Sequence, residues 1–116
     1  MTVSTHVLDT GAGTPAAGVP VRLDHYDADS WRLVQEGETD ENGRWELASP
    51  PDSEPVPEIV PGTYRLRFGS GRYFAARDVR SYYPEITVIF LVTAAGERHH
   101  VPLALGPYGY TTYRGS

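Results

Sequence analysis

Apolar and polar residues alternate with a period of two along most of the chain, and a period of 3.6 is almost absent. This pattern predicts strands over 3–9, 19–26, 31–39, 44–47, 63–68, 86–93, 98–105 and 110–113. A single helix of about two turns is predicted over 72–79, packing Tyr73, Phe74 and Ala76. Twelve glycines and ten prolines punctuate these segments. Thr10–Gly18 is predicted to be a loop and Asp27–Ser30 a turn. Asp40-Glu41-Asn42-Gly43 is predicted to be a hairpin turn, because Asn-Gly accepts the positive φ of tight hairpins. Ala48–Pro61 holds five prolines in fourteen residues. Proline cannot donate to a ladder, so this stretch reads as an irregular surface excursion. Many short strands with frequent turns predict a β-sandwich.

Two strands carry more information than the rest. In Ile86–Val92 both faces are apolar: Ile86, Val88, Phe90 and Val92 on one, Ile89 and Leu91 on the other. Such a strand is either enclosed within the monomer or covered on one face by a second subunit. In His100–Leu105, Val101, Leu103 and Leu105 share the core side, while His100, Pro102 and Ala104 share the opposite side. His100 is therefore expected to point away from the core. His6 lies opposite Val3 and Val7, on the same face as Leu8.

Composition narrows the function classes. A length of 116 residues suits one domain over 1–116. Hydrophobic residues make up 40%, so the chain is not compositionally disordered. Without cysteine there is no disulfide scaffold, thiolate nucleophile, cysteine zinc site or iron–sulfur cluster. All ten bases are arginines, and the absence of lysine removes Schiff-base chemistry and a P-loop. The net charge of −5, with no basic stripe, argues against nucleic acid. The apolar run Val88–Val92 is far too short to span a bilayer, so no membrane partner is expected. The N-terminus shows neither a charged n-region nor an apolar h-region, and a cytoplasmic location is expected.

The four histidines are His6, His25, His99 and His100. His99 and His100 are adjacent on a strand, so they point to opposite faces and cannot bind one metal together. No HxH, HxxxH or HxxE spacing occurs, and no metal site is expected. His25, near a turn, reads as a surface histidine. No GxSxG elbow frames a serine, which leaves a Ser-His-Asp triad unsupported. Taken singly, His6 reads as a half-buried, hydrogen-bonded histidine and Arg44 as a solvated strand-end arginine.

Three segments taken together say more. They are Ser4–Asp9 (STHVLD), Thr39–Arg44 (TDENGR) and His100–Ser116 (HVPLALGPYGYTTYRGS). With Gly62–Phe68, Tyr73–Ala75 and Tyr83–Glu85 between them, the chain resembles the transthyretin family, in particular its 5-hydroxyisourate hydrolase branch. The Tyr-Arg-Gly-Ser ending and the strand histidines are typical of that branch and not of the hormone carrier. The resemblance implies an all-β, transthyretin-like sandwich of two four-stranded sheets with one short helix. It also implies edge-to-edge dimers that pair face to face into a homotetramer, with the sites in the channel at the dimer–dimer interface. Three positions depart from the family pattern: Gly106 and Thr111 stand where serine is usual, and His99 where tyrosine is usual.

The resemblance assigns catalysis to His6, Arg44 and His100. It assigns substrate binding to His6, Arg44, Tyr113, Arg114, Gly115 and Ser116. The implied reaction converts 5-hydroxyisourate to 2-oxo-4-hydroxy-4-carboxy-5-ureidoimidazoline in urate breakdown, with no metal or organic cofactor. The residue types suit it. A neutral histidine can take a proton from water near pH 7. An arginine presents a cationic fork to carbonyl oxygens. Which histidine is the base stays open. Two other classes are a carrier that binds a small aromatic ligand without chemistry and a cell-surface sandwich module. The histidine–arginine–tail combination counts against the first, and the N-terminus against the second.

Overall fold

The computed structural model describes residues 3–48, 55 and 58–116. Its strands are β1 (Val3–Asp9), β2 (Thr14–Pro15), β3 (Pro20–Asp27), β4 (Ser30–Glu38), β5 (Arg44–Glu46), β6 (Gly62–Phe68), β7 (Ile86–Val92), β8 (His99–Leu105) and β9 (Tyr110–Thr112). One short helix, α1 (Ser70–Ala75), lies between β6 and β7. The first sheet runs β2-β1-β8-β9, and β5 also pairs with β1; the second runs β4-β3-β6-β7. The β1–β8 pair is parallel and the other pairs are antiparallel. The expected two-sheet sandwich is therefore present. The first sheet gains a fifth strand because two residues of the glycine-rich loop, Thr14 and Pro15, fold back on Leu8 and Asp9.

The alternation sorts β1, β6 and β8 as the sequence requires. Val3, Val7, Val101, Leu103 and Leu105 of the first sheet pack against Val21, Leu23, Tyr64, Leu66 and Phe68 of the second, all buried. Thr5 also points inward, and its hydroxyl donates to Val101 O at 2.6 Å, so this buried polar group is satisfied. Asp9, at the end of β1, accepts from the backbone N–H groups of Gly11 and Ala12 and from the Tyr73 hydroxyl at 2.7 Å. Burial and this carboxylate together push the Tyr73 hydroxyl up to about 12. The contact ties α1 to the far end of β1.

Several local expectations are corrected. The helix is shorter and starts earlier than 72–79: the chain turns out of it after Ala75, and Asp78 takes φ 58°. Asp40–Gly43 is a turn but not a β-hairpin, because β4 and β5 belong to different sheets. It is a corner, held by the Asp40 carboxylate accepting from the N–H groups of Asn42 and Arg44. Gly43 is required there: φ is +75°, and a Cβ would strike the Val7 carbonyl oxygen. His25 is half-buried rather than superficial, with its ring stacked 4.4 Å from that of Tyr64. β7 is not enclosed within the monomer, since Ile89 and Leu91 are 61% and 62% exposed. Most of the proline-rich stretch 48–61 lies outside the described residues.

Candidate active site

The outer face of the first sheet is laid out by register. β1 lies between β5 and β8, so each outward residue of β1 has a neighbour on both sides. His6 stands between Arg44 and Pro102, and Ser4 stands between Glu46 and His100. Because directly paired residues point to the same side, the face carries two adjacent rows, Arg44–His6–Pro102 and Glu46–Ser4–His100. The Asp40–Gly43 corner delivers Arg44 to the first row. It also holds His6, whose Nε2 donates to Asn42 O at 3.0 Å. A carbonyl only accepts, so the proton sits on that nitrogen.

His100 is held at Nδ1 by the Ser4 hydroxyl, 2.8 Å away. Burial, first, and then the charges of Arg44, His6 and Arg98 push its pKa below the usual histidine value. His100 is thus neutral near pH 7 and able to accept a proton. The tail approaches from the other side. Gly115 N–H donates to His100 O at 2.8 Å. A Cβ at Gly115 would lie 2.6 Å from His100 Cδ2 and 3.0 Å from Pro102 Cγ. Only glycine lets the tail lie flat against the imidazole.

A cleft of about 410 Å³ opens here, lined by Ser4, Arg44, Arg98, His100, Gly115 and Ser116 among others. Asp40 and Glu46 line the same cleft as the two arginines. His6 adjoins it through the Arg44 row. Tyr113 and Arg114 line a second hollow of about 310 Å³, beside Val88–Leu91 and Thr112, that meets the first at His99 and His100. The structure therefore brings Arg44, His100, Gly115 and Ser116 together, with His6 alongside, and sets Tyr113 and Arg114 apart. Ser4 and Arg98 are new members. Each lies two residues before a histidine already singled out, so the alternation carried their signal. His99 points inward and is 4% exposed. Its Nε2 is 3.3 Å from Glu97 Oε1, but the pair is not aligned for a hydrogen bond. Among the described residues, no three His, Cys, Asp or Glu side chains are grouped to hold a metal ion.

The profile of the HIUase/Transthyretin family matches residues 3–115. The chain belongs to this family. It is 40% identical over 116 residues to the 5-hydroxyisourate hydrolase of Mus musculus, covering 98% of this chain and 94% of the mouse protein. The structure of the Klebsiella pneumoniae 5-hydroxyisourate hydrolase superposes with a TM-score of 0.80 at 30% identity, covering 99% of this chain and 93% of that one. Sea bream transthyretin in complex with thyroxine superposes with a TM-score of 0.86 at 24% identity, covering 99% and 95%. The transthyretin likeness speaks to the fold alone. The hydrolase likeness extends to sequence over nearly the full length.

Proposed function

We propose that this chain hydrolyses 5-hydroxyisourate to 2-oxo-4-hydroxy-4-carboxy-5-ureidoimidazoline, a step of urate breakdown. The hydrolases it matches over nearly its full length support the reaction. The observation that carries it within the site is the one outward face shared by His100, Arg44 and His6. The ring amide of the substrate lies in the cleft with its carbonyl oxygen toward Arg44. His100 takes a proton from a water molecule as the water oxygen attacks the carbonyl carbon. Arg44 meets the negative charge that develops on the carbonyl oxygen. The ring C–N bond then breaks, and the leaving nitrogen takes the proton from the His100 imidazolium. His6 positions the water and shares in proton transfer. Gly115 and Ser116 shape one wall, and Tyr113 and Arg114 bind the part of the substrate that reaches the adjoining hollow past His100. Arg98 adds a second cation.

The working unit is the whole chain, 1–116, assembled as a homotetramer with its sites between dimers. The exposed Ile89 and Leu91 of β7 and the outward Leu8, Pro102 and Ala104 support that assembly. No described helix is long and apolar enough to cross a membrane, and the reading places the reaction in the cytoplasm. Imidazole and guanidinium groups suffice for the chemistry, with no metal or organic cofactor. The test follows ultraviolet absorbance of freshly generated 5-hydroxyisourate. Chelator-treated protein is expected to speed its decay well beyond the spontaneous rate. A decay indistinguishable from buffer overturns the enzyme and leaves a carrier.

A further inference from the structure

We propose that Ser4 is a positioning residue for His100: its hydroxyl, 2.8 Å from Nδ1, fixes the imidazole orientation and tautomer so that Nε2 offers its lone pair to the cleft. The inference rests on the hydrolase reading above and deepens it.

The two histidines of the face are held differently. His6 bonds a backbone carbonyl, which can only accept. His100 bonds a hydroxyl, which can accept or donate. A hydroxyl that donated to Nδ1 would leave the imidazole proton on Nε2, and His100 could not act as a base toward the cleft. The surrounding charges decide between the two arrangements. Glu46 stands across β1 from His100 in the same row, on the other side of Ser4. A negative charge on that side of the row favours the hydroxyl proton turned away from His100, with the oxygen lone pairs toward Nδ1. Ser4 Oγ then accepts from Nδ1–H, and Nε2 is left unprotonated. When Nε2 takes a proton from water, Nδ1–H stays on Ser4, so no heavy atom moves. The neighbouring backbone fixes this spacing, because Thr5 Oγ1 donates to Val101 O at 2.6 Å one residue along both strands. The charged or titratable groups acting on His100 are Arg44 from β5, His6 from β1 and Arg98 just before β8, and Glu46 of β5 stands beyond Ser4 in the same row.

Ser4 faces outward, so truncating it opens no cavity in the core. The test combines imidazole ¹⁵N NMR of His100 with steady-state kinetics on wild type, Ser4→Ala and Ser4→Thr. Wild type above its titration is expected to carry its proton on Nδ1, and Ser4→Ala to show mixed tautomers. In Ser4→Ala, kcat is expected to fall about tenfold to a hundredfold, the scale of a misplaced catalytic group, with KM little changed. Ser4→Thr keeps the hydroxyl and is expected to restore both the tautomer and most of kcat. A wild-type proton on Nε2 overturns the proposal, whether or not Ser4→Ala folds. So does a folded Ser4→Ala protein with wild-type kcat, or a kcat loss without a tautomer change. If wild type fails to hydrolyse 5-hydroxyisourate, the functional reading falls, and the NMR arm alone decides what Ser4 does to His100.

Discussion

In the proposed reaction His100 works as a base only while it is neutral, and its surroundings favour that form. Burial contributes most to lowering its pKa, followed by Arg44, His6 and Arg98. The rate on the acid side is therefore expected to hold as pH falls past the ordinary histidine value of 6.5, and to drop only below it. The same shift has a consequence for stability. The unfolded chain binds the His100 proton more readily than the folded one, so stability falls as pH drops from 6.5 through the lower folded value. The loss is complete below that folded value. His100→Ala is expected to lose about a hundredfold to ten-thousandfold in rate, as for other single acid–base groups. Arg44→Ala is expected to lose most activity too, and to move the acid limb upward because a cation beside His100 is gone. Neither side chain fills the core, so melting should stay near wild type. Kinetics across pH with circular-dichroism melts check both. Near wild-type rates in both variants would contradict the site.

At the scale of elements, the site depends on three strands and a tail. β5, β1 and β8 set the two rows of side chains, and their backbone bonds are shared with the core beneath. The tail is different. Gly115 bonds His100 by one backbone hydrogen bond, and Arg114 and Ser116 place no apolar side chain in the core. Chain ends held so lightly are usually dispensable. This one lies against the His100 imidazole, so removing Arg114–Ser116 is expected to reduce activity strongly while melting temperature and assembly shift little. Rate, thermal melt and light scattering on the chain ending at Tyr113 test this together. Full activity would show that the tail is a family signature and not a working part.

The whole molecule leaves apolar surface where a monomer gains nothing from it. Ile89 and Leu91 face outward on β7, the edge strand of the second sheet. An open apolar edge invites pairing with another chain. The double variant Ile89→Glu, Leu91→Glu places like charges on that surface. It is expected to dissociate the proposed homotetramer, as seen by light scattering, and to lower activity with it. An assembly unchanged by the two charges would locate the contact elsewhere.

Alternation alone determined which residues share a face. Val3, Thr5 and Val7 turn inward and Ser4 and His6 outward, because successive strand residues point to opposite sides whatever they pair with. The same rule separated His99 from His100, and alternation with the spacing of turn residues predicted eight of the nine strands among the described residues to within a residue or two. Only the tertiary structure decided which strands lie side by side. Ser4 and His100 are 96 positions apart, and their contact depends on the parallel register of β1 and β8. That register comes from packing two sheets together and is not visible in either segment. Packing also made Asp40–Gly43 a corner between sheets rather than a hairpin, which is what carries Arg44 to His6. Tyr113 and Gly115, two residues apart in the tail, line different hollows for the same reason. Local pattern selects the face of a strand, while long-range pairing selects its neighbours, and a site built across three strands needs both.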